Sequence, residues 1–148
     1  MKNTIVVPVN IESLNLISEF LQEKSNLEHL PSRKMWEILL AIDEIFSQII
    51  EIIKNEPSEI KMELTWGKKK DIVKIMITID CFAFNTMEIE KFYNKNSEEQ
   101  NLDGMKLSFI KQMVDEIYYL RKNNKNILII KKYLKNKKNH KNEIRHKS

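Results

Sequence analysis

The spacing of apolar residues changes once along the chain, and this change limits the folds open to it. Between residues 35 and 53 apolar positions recur every three or four residues, which predicts one long amphipathic helix after Pro31 and before Pro57. Between residues 60 and 79 apolar and polar residues alternate, which predicts two half-buried strands joined by a turn at residues 67–70. A long helix followed by adjacent strands indicates an α+β fold.

Shorter patterns surround these elements. The β-branched run at residues 5–9 contains Pro8, which predicts an edge strand because proline donates no backbone hydrogen bond. Asn10 is expected to cap a first helix that extends to about Lys24. The polar stretch at residues 85–103 lacks clean periodicity and is expected to form a long loop or lid.

The C-terminal third completes the predicted order of elements. A third helix is expected after Gly104, followed by two strands around a reversal at residues 122–126. The order is then β-α-α-β-β-lid-α-β-β. It predicts a two-layer α/β sandwich in which helices cover one face of a mostly antiparallel mixed sheet.

Composition excludes several classes of protein. The only two glycines are Gly67 and Gly104, so a complete glycine-rich phosphate loop does not occur. The single Cys81 excludes an intramolecular disulfide, so a reducing, cytoplasmic location is expected. No apolar run approaches the roughly 20 residues of a membrane helix, and no membrane association is expected.

The positive charge is concentrated at the C-terminus. The chain has a net charge of +4, with 25 basic and 21 acidic residues, and residues 135–148 hold six of the basic residues against one glutamate. We therefore expect a nearly neutral domain at residues 1–134 and a basic, disordered tail at residues 135–148. An electrostatic contact between the tail and a nucleic acid or an acidic partner is the alternative.

Three segments match one family in order and spacing. They are Ala-Ile-Asp-Glu-Ile-Phe-Ser-Gln at residues 41–48, Ile-Asp-Cys-Phe-Ala-Phe-Asn at residues 79–85, and the stretch from residue 104 to residue 128. Over roughly residues 4–134 the chain resembles the anti-sigma-factor serine kinases of the histidine kinase-like ATPase superfamily, also called the GHKL or Bergerat fold. The resemblance implies ATP and Mg²⁺ as cofactors.

The resemblance also implies roles for individual residues. Glu44 corresponds to the general base, and Gln48 to the amide that holds Mg²⁺. Asp80 corresponds to the aspartate that accepts a hydrogen bond from the adenine amino group. Gly104 and Lys106 lie where the family places its phosphate-binding lid end. From the periodicity alone, Glu44 is a solvated helix carboxylate, and Asp80 has the alternative reading of a residue that ends a strand in a turn.

The sequence departs from the family pattern at the positions that bind nucleotide. Gln48 stands where the family has asparagine, and Phe82 stands where it has glycine. Asp103 and Lys106 replace two glycines of the lid end. Glycine lets the backbone approach a phosphate closely, and these side chains do not restore that freedom. We therefore expect the nucleotide site to be degenerate.

Three functions follow as hypotheses. The first is a regulatory, anti-sigma-factor-like binding protein with a degenerate ATP site, whose partner is a sigma factor or an antagonist of the STAS class. A homodimer is compatible with this reading. The alternative is an active ATP-dependent serine-protein kinase that phosphorylates a STAS-type antagonist, so the enzymatic status stays open. Nucleic-acid binding rests on the tail alone and is not expected.

Overall fold

The computed structural model describes residues 3–81, 91–102 and 105–135 and contains a six-stranded sheet with helices on one face. The helices are α1 (Leu14–Leu27), α2 (Ser32–Ile53) and α3 (Ser108–Met113), and a 3-10 turn (Ile11–Ser13) precedes α1. The strands are β1 (Thr4–Pro8), β2 (Lys61–Lys69), β3 (Ile72–Ile79), β4 (Lys91–Asn94), β5 (Asn101–Leu102), β6 (Met105–Lys106), β7 (Glu116–Lys122) and β8 (Lys125–Tyr133).

The sheet has the strand order β1-β2-β3-β8-β7-β4, and each of these pairings is antiparallel. Strands β5 and β6 form a separate two-stranded ribbon. The predicted α+β fold with a mostly antiparallel sheet is therefore confirmed. Strand β1 pairs only with β2, so it is an edge strand as predicted from Pro8.

The core lies between α2 and one face of the sheet. The apolar side of α2 is almost fully buried, and Ala41, Phe46 and Ile49 are completely enclosed. Burying each large side chain of this kind stabilises the fold by roughly 2 kcal/mol. The opposite side of α2 carries the polar residues, including Glu44 and Gln48, so the same helix builds the core and presents the candidate site.

The β2–β3 turn and the β7–β8 turn contain residues in the left-handed region. The predicted turn at residues 67–70 is wrong in position: β2 continues to Lys69, which pairs with Ile72, and Lys70 has a φ of 55°. Lys68 and Lys69 continue the strand, with their side chains on opposite faces of the sheet. The predicted reversal at residues 122–126 is confirmed, with Asn123 and Asn124 at φ 53° and 62° in a two-residue turn.

Part of the predicted lid has regular structure. Within residues 85–103, β4 pairs with β7, and β5 pairs with β6. These strands have four residues and two residues, too short to leave a periodic signal in the sequence. Phe82, Asp103 and Gly104 lie outside the described residues, as does the predicted tail beyond Lys135.

The expected helix cap at Asn10 is confirmed. Its side-chain oxygen accepts hydrogen bonds from the Ser13 backbone N–H at 3.1 Å and from the Ser13 hydroxyl at 3.0 Å. The cap starts the 3-10 turn that leads directly into α1. Such a cap stabilises the helix start by about 1 kcal/mol because it satisfies a backbone donor that has no partner within the helix.

Candidate functional site

The candidate site is built on the polar side of α2. Glu44 and Gln48 are separated by one helical turn, so their side chains lie side by side. The Gln48 Nε2 donates a hydrogen bond of 3.0 Å to Glu44 Oε1. Both side chains are half-buried. The proposed base and the proposed metal ligand therefore contact each other directly.

Gln48 also binds the backbone of β6. Its Nε2 donates to the Lys106 carbonyl oxygen at 2.9 Å, and its Oε1 accepts from the Lys106 N–H at 2.6 Å. This side chain therefore pairs with one residue of β6 as a neighbouring strand would. We call this pair of hydrogen bonds the Gln48 clamp. The Lys106 side chain itself is exposed.

Apolar anchors hold β6 in position for the clamp. Met105 and Leu107, on either side of Lys106, are buried in the core. The Leu107 N–H donates to the Gln100 carbonyl oxygen at 2.6 Å. The backbone of β6 is consequently fixed by burial on both sides of the residue that Gln48 binds.

Lys111 in α3 is a site residue that sequence reasoning missed. Its side chain is 6% exposed, and its Nζ donates to the Ser97 and Glu99 carbonyl oxygens, the latter at 2.9 Å. A lysine in a short helix carries no sequence signal for burial, because lysine is normally solvated. Lys111 ties the segment before β5 to α3, and so to the same assembly as the clamp.

A second polar cluster lies where β3 ends. Asp80 is exposed, and among the described residues no hydrogen bond or ion pair to its side chain occurs. Beside it, the Arg121 side chain donates to the Cys81 carbonyl oxygen at 2.8 Å. The Tyr119 hydroxyl donates to Asn126 Oδ1 at 2.5 Å, and Asn126 Nδ2 lies 3.5 Å from Cys81 Sγ.

The part of this cluster around Asn126 is enclosed. Tyr119 and Asn126 are 0% and 1% exposed, whereas Cys81 is half-buried. Burial raises the pKa of the Cys81 thiol, and the Asn126 hydrogen bond partly opposes that shift. The alternation of residues along β8 places Asn126 on the inward-facing side, and this is the sequence signal that could have identified it. In the structure Asn126 pairs in register with Ile79.

A buried ion pair joins α2 to the sheet. Lys132 on β8 is 2% exposed, its Nζ lies 3.4 Å from Glu37 Oε1, and it also donates to the Met113 carbonyl oxygen. Burial lowers the pKa of Lys132, and the Glu37 carboxylate opposes this shift. Lys132 therefore connects α2, β8 and the end of α3.

The structure brings only some of the predicted site residues together. Glu44, Gln48 and the Lys106 backbone form one cluster, while Asp80 stands at the end of β3 without a described contact to them. Gly104 lies outside the described residues. The contacts of Lys106 with Gln48 involve its backbone, and its side chain is exposed.

These contacts test whether the residues fit Mg²⁺ bound with ATP. Mg²⁺ requires oxygen ligands in tight octahedral geometry. The single side-chain oxygen of Gln48 faces the Lys106 N–H, and its nitrogen faces Glu44 and the Lys106 carbonyl. One of the two lone pairs of that oxygen is used by the Lys106 N–H, and both hydrogen bonds hold the amide against β6, so Gln48 is not arranged as a metal ligand. The exposed Asp80 carboxylate, by contrast, is free to accept a hydrogen bond from an adenine.

Two further findings concern metal sites and membrane-spanning helices. No group of three or more His, Cys, Asp or Glu side chains capable of holding a metal ion occurs within residues 3–81, 91–102 and 105–135. Within the same residues, each helix is too short or too polar to cross a membrane.

Comparison with known proteins identifies the family. The histidine kinase-like ATPase domain matches residues 7–132, which include α1 to α3 and nearly all of the six-stranded sheet. No curated protein matches the chain. The match spans both the α2 cluster around Gln48 and the Asp80 end of β3. On this match, the chain belongs to the histidine kinase-like ATPase family.

Proposed function

We propose that the chain is a regulatory binding protein, similar to anti-sigma factors, that uses the ATPase scaffold to bind a protein partner without nucleotide. The supporting observation is the Gln48 clamp, in which the oxygen expected to hold Mg²⁺ accepts the Lys106 N–H at 2.6 Å. The proposed partner is a sigma factor or a STAS-type antagonist in the cytoplasm.

The clamp supports this function because it replaces a ligand with an internal contact. In an active member, bound nucleotide and Mg²⁺ would order the lid. Here, protein hydrogen bonds and the buried Met105 and Leu107 hold β6 against α2. A surface that is ordered without a ligand loses less conformational entropy when a partner binds.

The alternative, a serine-protein kinase, requires Glu44 to accept a proton from a substrate hydroxyl. Glu44 Oε1 already accepts a hydrogen bond from Gln48 Nε2 at 3.0 Å. Phosphoryl transfer depends on positioning and on electrostatic stabilisation of the phosphoryl group. The fit of Gln48 to Mg²⁺ is poor, and this disfavours the kinase.

The first experiment is a calorimetric titration of the full chain with ATP and ADP, with and without excess Mg²⁺. We expect no Mg²⁺-dependent binding. Asp80→Asn is the matched control, because it removes a carboxylate that could accept the adenine amino group. Mg²⁺-dependent binding that Asp80→Asn abolishes would overturn the nucleotide-free proposal.

The second experiment tests the partner class. Purified chain is mixed, with and without ATP, with each sigma factor and STAS protein from the same genome, and complexes are detected by size-exclusion chromatography. We expect a stable complex without ATP. Absence of any complex contradicts the proposal. Transfer of labelled phosphate to a STAS protein, lost in Glu44→Ala, would instead establish the kinase.

A further inference from the structure

The face of the sheet opposite the helices carries a continuous apolar row. Met76, Ile129, Tyr118 and Phe92 are paired in register across β3, β8, β7 and β4. None of the four belongs to the core cluster, and Phe92 is 47% exposed. We call this surface the open face. Contiguous exposed apolar surface of this kind is typical of interaction sites.

The aromatic part of the open face is held in a defined arrangement. The Phe92 and Tyr118 rings have centroids 4.8 Å apart. The Tyr118 hydroxyl donates to Glu116 Oε1 at 2.7 Å, and the Tyr133 hydroxyl donates to the other oxygen of the same carboxylate. Side chains that are already ordered lose little conformational entropy when a partner binds them.

A basic hollow borders the apolar row. In the next row across the sheet, Gly67 pairs with Lys74, and Lys74 pairs with Lys131. Gly67 has no side chain, and a Cβ built there would meet only the Lys74 carbonyl oxygen, at 3.8 Å. The resulting cavity of about 450 Å³ is lined by Ile72 and by lysines at positions 68, 69, 70, 74 and 131.

Glu116 stands opposite Lys131 across β7 and β8, where its carboxylate accepts the Tyr118 and Tyr133 hydroxyls. None of the five lysines forms an ion pair with a described residue. Lys131 Nζ lies 5.3 Å from the centre of the Tyr118 ring, so basic and apolar surfaces are in direct contact. Complementary potentials across an interface favour an acidic partner.

We infer that the open face is a docking site for an acidic, amphipathic segment of a partner protein. Apolar side chains of that segment lie along the Met76–Phe92 row and enter the hollow above Gly67. Its carboxylates pair with Lys74 and Lys131. The inference goes beyond the proposed function, because this surface lies on the opposite side of the sheet from α2.

A protein segment fits this surface better than a nucleic acid. Nucleic-acid sites depend on phosphate contacts and on bases stacked against exposed aromatic rings or arginine. The open face has lysines and an exposed ring, Phe92, but that ring packs against Tyr118. The hollow is lined by Ile72 and Gly67 as well as lysines, and the adjoining row contains Met76 and Ile129. These aliphatic groups match aliphatic or aromatic side chains of a protein.

The test uses designed peptides and the full chain. One peptide forms a helix with leucine and phenylalanine on one side and glutamates along the border of that side. The control peptide has lysine in place of each glutamate. Fluorescence anisotropy measures binding, and amide chemical shifts locate it. We expect the acidic peptide to bind at least tenfold more tightly and to perturb Gly67, Ile72 and Ile129.

Two variants probe the site from different directions. Lys74→Glu combined with Lys131→Glu reverses the charge, and Gly67→Leu fills the hollow. Each is expected to weaken binding of the acidic peptide about tenfold or more. Lys54→Glu, directly after α2, is the matched control that leaves binding unchanged. Circular dichroism checks that each variant folds. If Gly67→Leu does not fold, the double variant at Lys74 and Lys131 decides the question.

Several outcomes overturn the inference. Equal binding of the two peptides contradicts charge recognition, and binding that survives the lysine double variant places the site elsewhere. Tighter binding of single-stranded DNA or of vesicles containing phosphatidylserine, with the same shift changes, assigns the surface to those ligands. The nucleotide titration does not depend on any of these results. If the docking inference fails, that titration still tests the proposed function.

Discussion

Gln48 in α2 and Lys106 in β6, 58 residues apart in the chain, are joined by two hydrogen bonds of 2.9 Å and 2.6 Å. The glutamine amide uses both its nitrogen and its oxygen on the backbone groups of one residue. Asparagine at the same position is one methylene shorter. The longer glutamine side chain contacts the β6 backbone from α2.

The clamp predicts that Gln48 controls local opening of β6. In Gln48→Ala or Gln48→Asn, the Lys106 N–H loses its acceptor, and its hydrogen exchange should become about tenfold faster. Exchange measured by NMR provides the test. Gln22→Ala is the matched control, because Gln22 donates only to Ser18 within α1. Unchanged exchange at Lys106 in both Gln48 variants would refute the clamp.

The hydroxyl of Tyr119 should contribute to stability. Tyr119→Phe removes the donor to Asn126 Oδ1 and leaves a buried acceptor without it, at a cost of about 1–3 kcal/mol in the free energy of unfolding. Tyr118→Phe loses a bond to the half-exposed Glu116 and should cost less than 1 kcal/mol. Denaturant unfolding compares the two variants. Equal losses would contradict this role for the Asn126 contact.

The lowered pKa of Lys132 predicts that the free energy of unfolding depends on pH in the alkaline range. Burial lowers its pKa in the folded protein below the usual 10.5, so the unfolded chain binds more protons between the two values. The contribution of Lys132 to the free energy of unfolding therefore becomes more favourable as pH rises through that window. It is lost as pH falls through the folded-state pKa of Lys132. Lys132→Met should remove this component of the slope.

The measurement is the free energy of unfolding against pH for the wild type and Lys132→Met. Lys54→Met serves as the control, since Lys54 is exposed and pairs with Glu51 on the surface. The difference between wild type and Lys132→Met should change with pH, and the difference for Lys54→Met should not. A Lys132 difference that stays constant up to pH 10.5 contradicts the shifted titration.

Cys81 should react slowly with alkylating reagents. Burial raises the pKa of its thiol above the usual 9.0, so little thiolate is present near neutral pH. The alkylation rate with iodoacetamide should be well below that of the unfolded chain and should rise as the pH passes 9.0. Because Cys81 is the only cysteine, mass spectrometry reads this rate directly. Fast alkylation at pH 7 would show an open, ionised thiol.

Local patterns predicted most of the fold. The helical spacing that ends at Ile53 and the alternation that ends at Ile79 each reflect the separation of apolar from polar side chains within one element. The turn at Asn123 and Asn124 was predictable for the same local reason, because asparagine adopts the left-handed region readily. The turn near Lys70 was misplaced, since lysine carries no comparable signal.

The sequence by itself determined the order of elements, the helix-covered sheet and the family resemblance, because all three depend on residue spacing within segments. Only the tertiary structure decided what the site residues contact. The pairing of Gln48 with Lys106 and the burial of Lys111 and Lys132 arise where distant segments pack together. Such contacts cannot be predicted from sequence periodicity, because they depend on the distance at which packing holds two backbones.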